Sequence, residues 1–250
     1  MAFIIALSGK GGTGKTTVSG LLMKSLLKNN LGPVLGVDAD ANSNLNEVLA
    51  IEVEETIGAI REEMSSVPEG MTKDAYIEYR VQEALMESDG FDLVVMGRPE
   101  GSGCYCFANT LTKKYVDMLA DNYKSVIIDN EAGMEHMSRR TTHDPDILLI
   151  VSNPNMRGIL TASRINELST ELKLKSKKVV LIVNKVPEGG LDKRLYEEIE
   201  TFGLELAAEV PANAEIEENE LSKTSILNIA DDNPAFVAID NFVKSYVTPK

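Results

Sequence analysis

Cysteine is almost absent from this 250-residue chain, which has only Cys104 and Cys106. Two thiols one residue apart cannot build a disulfide framework, and a ring closed between them is strained, so a reducing compartment is expected. Long apolar runs are also missing. No segment approaches the roughly 20 apolar residues of a membrane span, and no basic leader precedes the first apolar run. Positive charge is in deficit, with 25 Lys and Arg against 39 Asp and Glu and a net charge of −14. A polyanion or an anionic membrane face is therefore repelled on average. No repeat, low-complexity linker or shift of composition marks a boundary. The expectation is a single cytoplasmic domain over 1–250, without nucleic-acid or membrane partners, whose 43% apolar content supplies one substantial core.

What is present is an alternation. Short apolar and β-branched runs at 3–7, 33–37, 91–96, 124–129, 146–151, 178–184 and 204–210 read as strands. Helix-period segments at 15–29, 73–87, 107–121, 156–173, 191–201 and 233–246 separate them, and 52–88 reads as helical inserts. The acidic run "EIEENE" (215–220) reads as a solvated helix face. The pattern predicts an α/β fold with a mostly parallel central sheet and helices on both faces.

"SGKGGTGKTT" (8–17) follows the first predicted strand and opens the first helix, with the spacing G-x-x-x-x-G-K-[ST] at Gly9, Gly14, Lys15 and Thr16. Glycines at 11, 12 and 14 let backbone approach phosphate oxygens, and the helix-start amides face the anion. Lys15 neutralises the β and γ phosphates, and the Thr16 hydroxyl is a ligand for Mg²⁺. The expected nucleotide-binding set is Gly9, Gly11, Gly12, Thr13, Gly14, Lys15, Thr16 and Thr17.

Lys10, at the second position of this loop, makes it resemble the deviant Walker A of P-loop ATPases that include MinD and ParA, the nitrogenase iron protein and the CooC proteins. The resemblance implies ATP as the nucleotide and a homodimer in which Lys10 reaches the partner's nucleotide. "VDADANSN" (37–44) and "IIDNEAGMEH" (127–136) end predicted strands and look like that family's two switches. By this resemblance Asp40, followed by Asn42 and Asn44, orients or deprotonates the attacking water. Asp38 supports the magnesium shell, Asp129 holds Mg²⁺ directly or through water, and Gly133 lets the second switch move. Lys10, Lys15, Asp40 and Asp129 are thus the expected catalytic set, and Asn184 and Pro211 stand where the family contacts adenine. A guanine-reading NKxD is only half met by "NKVP".

The paired cysteines suit soft metals, but a tetrahedral sulfur site needs four thiolates. Near a two-fold axis, two chains would supply four, linking metal binding to dimerisation. Zn²⁺, Ni²⁺ and an iron–sulfur cluster all remain compatible with such a site. "GRPEGSGCYC" (97–106) and Glu131 in "DNEAG" resemble CooC proteins, which mature nickel-containing carbon monoxide dehydrogenase. That resemblance implies Ni²⁺ at Cys104 and Cys106, and apo carbon monoxide dehydrogenase as client. Two other family roles are weighed against it. An iron–sulfur electron donor spaces its cysteines far apart in sequence, and a positioning ATPase needs a basic membrane helix or DNA face. His136 and His143 read as capping or surface residues, and Met134 and Met137 as core.

Overall fold

The β-branched runs of the sequence become the strands of one eight-stranded sheet in the computed structural model, which describes residues 2–63, 67–98, 116, 118–132, 145–172, 174 and 176–247. They are β1 (Phe3–Gly9), β2 (Val34–Ala39), β3 (Met86–Ser88), β4 (Phe91–Val95), β5 (Ser125–Asn130), β6 (Ile147–Ser152), β7 (Lys178–Val186) and β8 (Leu206–Pro211). Their order is β3-β4-β2-β5-β1-β6-β7-β8, and every neighbouring pair is parallel except β3 with β4. The described helices are α1 (Lys15–Lys28), α2 (Leu45–Leu49), α3 (Ile57–Glu63), α4 (Lys73–Glu83), α5 (Met156–Glu171), α6 (Lys193–Thr201), α7 (Ala214–Ser222) and α8 (Pro234–Tyr246).

Strands this apolar must be covered on both faces, and they are. Ile5 and Leu7 of β1, Ile127 of β5 and Leu149 of β6 pack on one side with α1 and α8. Ala6, Val126, Ile128, Leu148 and Ile150 point the other way, toward Ile159, Ala162 and Ile165 of α5 and Ile57 and Ile60 of α3. The two-residue period of the strands thus feeds two separate apolar layers. Helix α8 spends Phe236, Ile239, Phe242 and Val243 on the first layer and is tied to α1 by Asp240, which accepts from Ser25 Oγ and Asn29 Nδ2, both at 2.7 Å.

One predicted boundary is corrected. The helix expected over 73–87 stops at Glu83, and Met86–Ser88 instead forms an antiparallel edge strand on β4 through the turn at Asp89 and Gly90. Gly90 takes φ +82°, so the turn ends the helical pattern where apolar spacing alone lets it continue. Among the described residues of the segment 52–88, the helices are accordingly α3 and α4. Most of the helix expected over 107–121 lies outside the described residues.

The order of strands sets the position of the site. The chain steps from β1 out to β2 and β4, returns to place β5 between β2 and β1, then continues outward on the other side through β6, β7 and β8. In such a parallel sheet the crevice beyond the carboxyl ends, beside the strand where the direction reverses, is where ligands bind.

Candidate nucleotide site

The turn from β1 into α1 is shaped by close approaches. Gly14 sits at φ +81°, and a Cβ there would lie 2.3 Å from Asn184 Nδ2. A Cβ on Gly9 would lie 2.3 Å from the Val151 carbonyl oxygen. Both positions exclude any side chain. Inside the loop the Thr13 hydroxyl donates to the Lys10 carbonyl at 2.9 Å, and from outside Asn184 Nδ2 donates to the Thr13 carbonyl at 2.9 Å. Strand β7 therefore braces the phosphate loop.

Helix α1 starts without a side-chain cap and with no acidic residue in its first turn. Helices α4 to α8, by contrast, are capped by Thr72, Asn155, Asp192, Asn213 and Asn233. The first amides of α1 thus lack the side-chain acceptor found elsewhere, which is the arrangement an anion completes. Lys15 is buried and its Nζ reaches the Gly9 carbonyl at 3.5 Å. Burial lowers its pKa, opposed by the charges of Asp129, Asp40 and Glu131. Lys10 lies exposed at the loop, beside the exposed Gly11 and Gly12.

Two carboxylates face this loop from the neighbouring strands. Asp38 on β2 and Asp129 on β5 are register partners, and both are buried. Asp129 is raised to about 7 by burial and then by the charge of Asp38, while Thr16 and Lys15 pull it down. Its Oδ1 is buried and has no hydrogen-bond partner among the described residues. A buried carboxylate oxygen without a donor, beside a threonine hydroxyl, fits a hard divalent cation. Thr16 and Asp129 are the residues that would hold Mg²⁺. Asp38, raised to about 6 by burial, gives its oxygens to backbone amides of the following turn. Asp40 is half-buried, and its Oδ1 accepts from the Asn42 amide at 2.9 Å and from Asn42 Nδ2 at 3.1 Å.

The fold thus gathers Lys15, Thr16, Asp38, Asp40 and Asp129 at one end of the sheet. Asn184 joins them through the phosphate loop, while Pro211 closes the edge strand β8 opposite Val186. Cys104, Cys106, Gly133, Met134, His136, Met137 and His143 lie outside the described residues. The sequence pointed to Asn184 for the adenine but not to its brace on the loop, and it gave no sign of the Val151 carbonyl at Gly9. Both contacts depend on strand neighbours, for which the sequence carries no spacing signal. Glu131 was used only as a mark of resemblance, although its position directly after β5 places its charge near Lys15.

Parallel sheet, phosphate loop, uncapped helix and facing carboxylates define a P-loop nucleotide-binding protein. Residues 4–226 match the CobQ/CobB/MinD/ParA nucleotide binding domain, and the chain belongs to this family of P-loop ATPases. An uncharacterized ATP-binding protein of Methanocaldococcus jannaschii is 42% identical over 258 aligned positions, covering 99% of each chain. The carbon monoxide dehydrogenase accessory protein CooC of Rhodospirillum rubrum is 30% identical over 197, covering 73% of this chain and 74% of its own. Among solved structures, the septum site-determining protein MinD of Pyrococcus horikoshii, complexed with Mg-ADP, superposes with TM-score 0.73 at 19% identity, covering 99% of this chain and 97% of its own. The chain is an ATP-binding ATPase with the MinD/ParA fold. Among its described residues no helix is long and apolar enough to cross a membrane.

Proposed function

We propose that this ATPase is a dimeric metallochaperone that carries nickel on Cys104 and Cys106 and delivers it to an apo metalloenzyme of the carbon monoxide dehydrogenase type. The observation that carries this reading is the register at the strand ends. Asp129 pairs with Asp38, and Asp38 with Val95, so the segment leading toward the two cysteines leaves the sheet beside the nucleotide site. Supporting it are the CxC spacing itself and the relation to a carbon monoxide dehydrogenase accessory protein.

In this reading one cytoplasmic domain, 1–250, binds ATP on the loop amides and Lys15, and Lys10 acts on the partner's nucleotide. Bound Mg²⁺ would offset phosphate charge from its place on Thr16 and Asp129. Asp40 orients the attacking water, and the charge of Lys15 stabilises the transferring phosphoryl oxygens. Closure of the dimer brings two CxC pairs together as four thiolates, and hydrolysis separates them to release the cargo.

The test is an anaerobic Ni²⁺ titration of the reduced, metal-free protein and of the double variant Cys104→Ser, Cys106→Ser, followed by thiolate-to-metal absorption and by sizing. One nickel per two chains with a shift to dimer is expected, and the variant loses the absorption band. ATP hydrolysis measured with Mg²⁺ and without nickel serves as its folding control. Equal nickel affinity in both proteins would sink the assignment. A positioning ATPase is the second reading, favoured by the fold likeness to MinD. Against it, α8 already buries its apolar face on α1 and β8, and ATP-dependent co-sedimentation with anionic liposomes would be needed to support it.

A further inference from the structure

Asp38 is completely buried at the end of β2, held in the sheet between β4 and β5. Its two carboxylate oxygens point to opposite ends of the next turn. Oδ1 accepts the Asp40 amide at 3.1 Å, and Oδ2 accepts the Leu45 amide at 2.8 Å. Leu45 is the first residue of α2, and Asn44, which stands at the capping position, supplies no side-chain cap. The cap of α2 therefore comes from the neighbouring strand. Between the two anchors the chain turns tightly, with Ser43 at φ +54° and its amide on the Asp40 carbonyl at 3.2 Å. The Leu45 side chain is itself fully buried. The backbone of Asp38 is fixed on the other flank as well, where its carbonyl accepts the Met96 amide at 2.8 Å.

We infer that Asp38 is a positioning residue for hydrolysis, whose carboxylate clamps both ends of the turn that carries Asp40 and so fixes Asp40 relative to the phosphate loop. This assigns Asp38 to the loop instead of the magnesium shell. A carboxylate with two acceptor oxygens can hold two amides, and no neutral isostere can. An asparagine in its place keeps one acceptor and turns a donor toward the other amide, so one end of the clamp opens with almost no change of volume. Asp38 has no need to touch the nucleotide, because its effect reaches the reaction through Asp40. The inference rests on the proposed role of Asp40 in orienting water.

Asp38→Asn is compared with the wild type and with Asp40→Ala. Four quantities are read: kcat, ATP affinity with Mg²⁺ present, half-saturating Mg²⁺, and amide exchange at Asp40 and Leu45. Losing one hydrogen bond to a charged group predicts a kcat about ten- to a hundredfold lower in Asp38→Asn. ATP affinity and half-saturating Mg²⁺ stay within about twofold, since uniform binding is untouched. Exchange at one or both amides quickens by at least about tenfold. Wild-type kcat in Asp38→Asn overturns the inference, and so does a rise in half-saturating Mg²⁺ that accounts for the lost activity, which would return Asp38 to the metal. Full activity in Asp40→Ala overturns it through its premise. Should Asp38→Asn fail to fold, exchange in the wild-type apoprotein decides. Protected amides at Asp40 and Leu45 support the clamp, and exchange at unstructured rates refutes it.

Discussion

Two buried aspartates on the strands flanking β1 lie at opposite ends of the sheet and are treated in opposite ways. Asp146, just before β6, receives the Ile4 amide on Oδ2 at 2.8 Å and Lys177 Nζ on Oδ1 at 2.7 Å. Its charge and acceptors are used to tie β1, β6 and the start of β7 together. Asp129, at the far end of β5, keeps Oδ1 buried with no described partner and faces Asp38 and Asp40 besides. A buried carboxylate crowded by two others, with Lys15 and Thr16 only partly offsetting them, is costly unless something further arrives to balance it. One end of the sheet is therefore complete as folded, and the other presents charges and an acceptor that a cation and a phosphate chain would balance.

The sharpest test of that contrast is Asp129→Asn. ATP hydrolysis falls by about a hundred- to a thousandfold, the scale of losing one electrostatic contributor in an active site. The apoprotein meanwhile melts at a higher temperature, because a buried charge that Asp38 and Asp40 repel has been removed. Steady-state turnover and thermal melts with and without Mg-ATP check both halves, and a lower melting temperature for the apo variant would break the comparison.

Asp146→Ala is the mirror experiment. It takes the acceptor from the part-buried Ile4 amide and the partner from Lys177, so urea denaturation registers a loss of about 1–3 kcal/mol. Turnover per folded molecule stays near wild type, and a large loss of turnover would mean that the two ends of the sheet are not separable.

A smaller effect appears in the pH dependence of the apoprotein. Asp38 and Asp129 are raised from 3.8 to about 6 and about 7. The folded state therefore holds more protons than the unfolded chain between those values, and stability falls as pH rises. The contribution is fully present below pH about 3.8 and is lost as pH climbs through about 6 and then about 7. Asp129→Asn should erase the step near neutrality, and a wild-type stability that is flat from pH 4 to 8 would contradict the assignment.

Much of this site was legible in the chain because its signals are local. The phosphate loop is one contiguous stretch, and its glycines, Lys15 and Thr16 stand where the spacing put them. The apolar runs gave the parallel strands because each is buried on both faces and carries its own pattern. Met86–Ser88 escaped notice since three residues, two of them exposed, carry no period, although Asp89 and Gly90 are a hairpin signal. Asn184 and Asp38 were expected at the adenine and at the metal. The structure adds contacts that neither expectation contained, the amide of the first on the Thr13 carbonyl and the carboxylate of the second on the Asp40 and Leu45 amides. Such contacts are set by which strand lies beside which loop, and that is a property of topology with no local trace in the sequence.

The contact between Gly14 and Asn184 ties a loop to a strand remote from it in the chain. A methyl group at 14 would stand 2.3 Å from Asn184 Nδ2, on a backbone held at φ +81°. Swinging the Asn184 amide aside would relieve the contact and give up the bond that steadies Thr13, while the backbone cost at 14 would remain. The smallness of residue 14 is thus enforced twice, once by its own dihedral and once by a neighbour that the sequence keeps far away.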